Sequence, residues 1–226
     1  DVRIILPGRP DKKILYLVFG LMIIIMAAVT SVYWYNSSHY VDTEDARVDG
    51  TIVKVSPQIS GRISEMNVAE GDDVKQGAII ARQVDYQLTS GLNLDLAVVK
   101  SPITGTVIKK IGNVGEIGTP GSPIAMVADL KSLYITANIE ETELNRVKQG
   151  QNVDFTIDSI PGVDFSGQVH SIGDATVSTF SLLPSQNTSG NFTKVIQRVP
   201  VKISIKTYQG QRLLPGMNAA VLIYIN

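Results

Sequence analysis

Cysteine is absent from this chain, histidine occurs only at His39 and His170, and the formal charges cancel almost completely to a net −1. Without cysteine there are no disulfides and no thiolate metal sites, a condition that an extracytoplasmic compartment permits but does not require. Two histidines are too few to build a histidine-based zinc or catalytic centre. The balance of 20 basic and 21 acidic residues gives no electrostatic case for nucleic acid. Long helical periodicity is scarce after Tyr35, and charge is missing altogether from one stretch, Ile14 to Tyr35.

That uncharged stretch covers 22 positions. At 1.5 Å per residue it makes a helix of about 33 Å, enough to cross a hydrocarbon core of about 30 Å. Tyr16 near one end, and Tyr33, Trp34 and Tyr35 at the other, suit the two membrane interfaces. A cleaved signal sequence would have a shorter apolar region, about 7–15 residues, followed by small residues. The run here is longer and ends in aromatics, so it reads as an uncleaved anchor. Arg3, Arg9, Lys12 and Lys13 precede it, whereas no Lys or Arg follows before Arg47. The positive flank predicts a cytoplasmic N-terminal tail, a single-pass span, and roughly 190 residues outside the cytoplasm.

Beyond the anchor, period-two alternation dominates. Val153 to Asp158 alternates apolar and polar residues, as do Val199 to Lys206, and Val221, Ile223 and Ile225 share one face. Such patterning predicts half-buried strands, with most of the 19 glycines and 10 prolines at their ends. Pro200 is expected at an edge or strand start. One short helix is expected over Glu141 to Lys148, with Leu144 and Val147 on one face and Gly150 as its cap. Thr179 to Asn191 reads as a long polar loop, of a length that is often functional.

Two segments repeat. Ser56-Pro57 leads to Gly61, Gly71 and Gly77, and Ser101-Pro102 leads to Gly105, Gly115 and Gly121. The glycine spacings are ten and six residues in both. Repeats this short imply two quasi-symmetric halves that bury a core only together. The pattern resembles a lipoyl/biotinyl-type sandwich. A carrier of that kind needs a modifiable lysine on the turn joining its halves, and no lysine lies between Gln83 and Val99. Lys100 abuts Ser101-Pro102 and belongs to the second half.

The chain also resembles, over nearly its whole length, the HlyD-type membrane fusion (periplasmic adaptor) family, and within it the EmrA-type adaptors. Three segments carry the resemblance: Thr43 to Gly61, Ala137 to Gln151, and Phe180 to Val201. It implies a mainly β fold: a transmembrane helix at 14–35 after a tail at 1–13, a membrane-proximal β-barrel with one short helix from 36–52 and 128–226, and a lipoyl-like sandwich from 53–84 and 97–127. It also implies partners, namely a major-facilitator-type multidrug exporter, a TolC-type outer-membrane channel when the family's long α-helical hairpin is present, and further copies of the chain in a trimeric or hexameric ring. No cofactor and no catalysis are implied.

The departure is that hairpin. Asp85 to Leu88 reads as the start of a rising helix, Leu92 to Val99 as the end of a descending one, and only Thr89-Ser90-Gly91 joins them. The junction at 85–96 is expected to reflect excision of the hairpin, with a naturally hairpin-less adaptor as the alternative. The candidate exporter interface is Phe180, Leu182, Leu183, Pro184, Gln186, Asn187 and Phe192, the bland alternative being that these apolar residues cover the end of the barrel. Asp72 and Asp73 are adjacent and should point apart. Glu140, Glu141 and Glu143 read as an acidic helix start rather than a metal site, and Arg47, Arg62 and Arg198 as surface ion pairs. A membrane-anchored binding or receptor protein, or a cell-wall-associated module, is the competing class. A tethered hydrolase is disfavoured for want of a nucleophile motif.

Overall fold

The apolar stretch folds as one helix, α1 (Lys12–His39), longer at both ends than the 14–35 expected. The computed structural model describes residues 12–84, 94–180 and 196–225. From Tyr16 to Trp34 no residue of α1 is buried against the protein. A helix that is apolar all round and covered by nothing fits a lipid environment rather than water.

After α1 the chain makes β1 (Tyr40–Asp49), β2 (Ile52–Val55), β3 (Gly61–Met66), β4 (Asp73–Val74), β5 (Ile79–Val84), β6 (Val98–Lys100), β7 (Gly105–Lys110), β8 (Ile117–Gly118), β9 (Ala125–Ala128), β10 (Tyr134–Glu140), β11 (Asn152–Ile157), β12 (Asp164–Ile172), β13 (Arg198–Ile205) and β14 (Asn218–Tyr224). Six of them close an antiparallel barrel in the order β1-β10-β13-β12-β11-β14. The alternation seen in sequence points inward as expected. Ile135, Ala137 and Ile139 of β10, Val153, Phe155 and Ile157 of β11, and Ala219, Val221 and Ile223 of β14 are all buried in one core.

Pro200 departs from expectation, because β13 is paired on both sides and Pro200 is its third residue. The Pro200 carbonyl accepts the Gly173 N–H at 2.8 Å, just past the end of β12. In an antiparallel ladder the N–H and C=O of one residue point to the same side. The donor that proline lacks would therefore face the point where β12 has already stopped.

The remaining eight strands form two four-stranded sheets, β2-β9-β7-β4 and β6-β5-β3-β8. Exchanging the first half (β2 to β5) with the second (β6 to β9) converts one order into the other, so the doubled sequence is a pseudo-dyad. The hydrogen bonds obey it. Gly71 N–H donates to the Val107 carbonyl and Gly115 N–H to the Ile63 carbonyl, both at 2.8 Å. Gly71 and Gly115 share φ +94, and Gly77 and Gly121 lie at +83 and +85, backbone that favours glycine. Ile63, Ile80, Val99, Val107, Ile124 and Val127 fill a core separate from that of the barrel.

Two expected helices are corrected. Glu141 to Lys148 holds only a 3-10 turn, Leu144–Arg146. The Lys148 N–H, which would continue a helix, donates to Gln151 Oε1 at 2.8 Å, and Gln151 Nε2 donates to the Arg146 carbonyl at 3.1 Å. Gln151 thus closes the turn after one round, while Val147 is buried in the barrel core. Likewise the expected helix end over Leu92 to Val99 is corrected from Leu94 onward, while the expected helix start at Asp85 to Leu88 and the join Thr89-Ser90-Gly91 lie outside the described residues. From Leu94 the chain makes a 3-10 turn, Leu94–Ala97, running into β6, which pairs with β5. Lys100 ends β6 and lies 3.7 Å from Asp95, on a strand rather than on a carrier-type turn.

Candidate functional site

The end of the barrel that receives α1 is built from segments far apart in sequence. No residue separates α1 from β1. The His39 carbonyl accepts the Ile225 N–H at 2.9 Å, and the Tyr40 carbonyl accepts from the Arg146 guanidinium at 3.5 Å. The Tyr40 and Tyr224 rings meet edge to face, 5.3 Å between centroids. The foot of the helix is therefore fastened to β14 and to the 3-10 turn after β10.

Described parts of the three segments that carry the family resemblance lie side by side in this barrel. Thr43 to Asp49 is in β1, Ala137 to Glu140 in β10, and Arg198 to Val201 in β13, three consecutive staves of the barrel. A polar network joins them. Arg198 is hydrogen-bonded to Asp45 and lies 3.9 Å from Glu140, and Asn138 Nδ2 donates to Asp45 at 3.0 Å. The ion pair expected for Arg198 is thus present, whereas Arg47 and Arg62 form none among the described residues.

Partial burial alone would raise the Asp45 carboxyl, but the Asn138 amide and the Arg198 guanidinium outweigh it and hold Asp45 below the ordinary value of 3.8. A depressed folded value means stability that is complete above 3.8 and lost as pH falls through the folded value. Asp45→Asn should lower stability at neutral pH, leave strongly acid pH nearly unchanged, and so flatten the acid limb of the stability profile. The effect is expected to stay under about 1 kcal/mol because the pair is half exposed. Urea midpoints measured on both sides of 3.8 check it.

The aromatic interface residues Tyr16, Tyr33 and Trp34 are all exposed on α1, while the side chain of Tyr35 lies outside the described residues. The candidate exporter interface also lies largely outside them. Phe180 closes the 3-10 turn Val177–Phe180, with its side chain outside, and Leu182, Leu183, Pro184, Gln186, Asn187 and Phe192 fall beyond it. The flanks of that segment are described, and they lie at the α1 end. Glu141 N–H donates to the Gln197 carbonyl at 2.9 Å, and Ser178 Oγ is hydrogen-bonded to Gln197.

Among the acidic side chains singled out in sequence, Asp72, Asp73, Glu140 and Glu143 are committed to local contacts, in the sandwich as well as at this end of the barrel. Asp72 accepts the Ala69 N–H and Asp73 the Thr106 hydroxyl, so their carboxylates serve separate turns. Glu143 pairs with Arg146 and Glu140 with Arg198. Among the described residues no group of three His, Cys, Asp or Glu could hold a metal. Of the network around Asp45, the sequence signals only an ion pair for Arg198, not its partners Asp45 and Asn138, which barrel closure brings to it.

Comparison with known proteins accounts for both β units. Residues 51–130 match the family model of the RND MFP barrel-sandwich hybrid domain, and residues 132–224 that of the AAEA-like beta-barrel domain. YhbJ of Bacillus subtilis (strain 168), whose name assigns it to an efflux system, is 42% identical over 187 residues, 83% of this chain and 80% of its own length. The multidrug export protein EmrA of Escherichia coli (strain K12) is 32% identical over 136 residues, 60% of this chain but 35% of EmrA. The colistin resistance protein EmrA of Acinetobacter baumannii is 35% identical over 140 residues, 59% of this chain and 40% of its own. The chain thus spans well under half of these EmrA proteins. Among solved structures, a MacA-MexA chimeric protein carrying the Pseudomonas aeruginosa MexA α-hairpin superposes with TM-score 0.67 at 21% identity, over 83% of this chain and 82% of the chimera. The periplasmic adaptor protein EmrA superposes with TM-score 0.54 at 15% identity, over 83% of this chain and 99% of that one. At such identities the likeness is one of fold.

The YhbJ match bears on the missing hairpin. Its 187 aligned positions are 80% of that protein, so YhbJ is about 230 residues long. That length is close to the 226 residues of this chain. With both β units matched and one relative covered over four fifths of its length, the chain belongs to the membrane fusion protein (HlyD-type adaptor) family.

Proposed function

We propose that this chain is the membrane-anchored base of a multidrug efflux adaptor and naturally lacks the family's long hairpin. The supporting observation is that described parts of all three family-matching segments, in β1, β10 and β13, form one wall of the barrel. In this reading α1 crosses the inner membrane with its N-terminus in the cytoplasm, and the barrel and sandwich stand outside. Copies assemble as a trimer or hexamer beside a major-facilitator-type exporter, which supplies the transport energy. Head-to-tail contacts suit such a ring because they close without a two-fold. The adaptor scaffolds and seals, and catalyses nothing itself. Without a hairpin it does not reach a TolC-type outer channel unaided.

The exporter contact is assigned to Phe180 to Phe192. Copurification with a co-expressed exporter of this class tests it. Replacing Leu182→Ser and Leu183→Ser together should weaken capture by about tenfold or more, with the circular dichroism spectrum and melting curve unchanged. Unfolding of the double variant would instead show that these leucines cover the barrel's end.

A further inference from the structure

A helix anchor by itself leaves a barrel free to lean, but this barrel carries a second apolar feature at the same end. Among the described residues outside α1, the exposed large aliphatics on the barrel's α1 end are Val177 (45% exposed) and Ile196 (54%). Val177 opens the 3-10 turn that follows β12, and Ile196 lies two residues ahead of β13. In the barrel order β13 is two staves and β12 three staves from β1, where α1 enters. The pair therefore sits across the barrel mouth from the anchor.

Chain geometry holds that mouth close to the bilayer. Trp34 lies five helical residues before the end of α1 at His39, about 8 Å at 1.5 Å per residue, and Tyr40 follows as the first residue of β1. The interfacial layer beyond each side of a hydrocarbon core of about 30 Å is about 5–8 Å thick. With Trp34 in the interface, Tyr40 reaches the headgroup layer's outer edge. The strand starts and ends at this mouth are cross-tied, through Glu141 to Gln197 and Gly173 to Pro200, so the segments bearing Ile196 and Val177 share its level. The Ser178–Gln197 hydrogen bond holds those two segments together. Their neighbours Ala175, Thr176, Ser178, Thr179, Val195 and Gln197 are uncharged, and the nearest charged residues in sequence are Asp174, Lys194 and Arg198, the last paired with Asp45.

We infer that the α1 end of the barrel makes a second membrane contact, with Val177 and Ile196 seated in the lipid interface opposite the anchor. The inference rests on the reading of α1 as a membrane span. Two footings separated by the width of a barrel fix the tilt of its axis, which one helix does not. The recognition is apolar: exposed Asp42 and Glu44 lie near the foot of β1 on the same barrel, so a zwitterionic lipid surface suffices and added salt should not release the contact.

The absence of cysteine allows a direct test on the full chain. Single spin labels at Val177→Cys, Ile196→Cys, Ile24→Cys and Ile117→Cys are read in phosphatidylcholine nanodiscs, comparing collision with oxygen and with a water-soluble nickel complex. Labels at 177 and 196 are expected to favour oxygen, as at 24, whereas the label at 117 on the sandwich favours nickel. Behaviour like that at 117 would overturn the membrane contact while leaving the anchor intact. Shielding from both reagents would overturn it too, by showing a protein surface on the pair. If the label at 24 itself favours nickel, the anchor fails and the inference with it. An independent readout is Ile196→Trp in a Trp34→Phe background, which brominated lipid should quench; no quenching counts against the contact whatever the labels show.

Discussion

Phe155→Ala is expected to remove about 3–5 kcal/mol from the barrel and to leave the sandwich folded. Phe155 and Phe165 are directly paired on β11 and β12, both are buried, and their rings stack with centroids 5.4 Å apart. No other aromatic ring is fully buried among the described residues, so truncation leaves a void that the surrounding Val and Ile side chains fill only in part. The two cores share no residue. Calorimetry should therefore resolve a barrel transition lowered on the order of 15 °C or more and a sandwich transition that does not move. A single transition shifting as a whole would mean that the two units unfold together.

Gly105→Ala should damage the other unit, by about 3 kcal/mol or more. A Cβ at Gly105 would stand 2.3 Å from the Ala128 carbonyl oxygen and 2.8 Å from its carbon, backbone at the point where the sandwich hands the chain on to the barrel. At the pseudo-dyad position, Gly61, the nearest atom would be 3.2 Å away, so Gly61→Ala should cost about 1 kcal/mol or less. The same residue type at matching repeat positions thus carries unequal burdens. Denaturant midpoints of the two variants, compared on the sandwich transition, give the difference. Equal losses would mean that the repeat, not the exit to the barrel, sets the demand for glycine.

Much of this architecture is legible in one dimension. An uncharged run as long as a bilayer is thick forms a helix whatever follows it. Strict alternation at Val153-Phe155-Ile157 or Val199-Val201-Ile203 fixes which face is buried, because one-residue slips would expose the whole set. The equal glycine spacings marked the pseudo-dyad, because glycines needed at positive φ recur wherever the turn recurs. Failures came where a side chain competes with the backbone or where closure removes an edge. Gln151 stopped the helix expected over Glu141 to Lys148 by taking the Lys148 N–H. Pro200 looked like an edge residue because a barrel's lack of edges is not written in any one strand.

The sequence by itself determined the long uncharged helix, the doubled sandwich and the strand-rich remainder, since each depends on composition or on spacing within one segment. Only the tertiary structure decided that Thr43 to Asp49, Ala137 to Glu140 and Arg198 to Val201 are neighbouring staves. It also decided that Asp45 meets an arginine 153 positions later, and that Val177 and Ile196 stand across the barrel mouth from α1. Those are consequences of barrel closure, which joins strands by register rather than by distance along the chain.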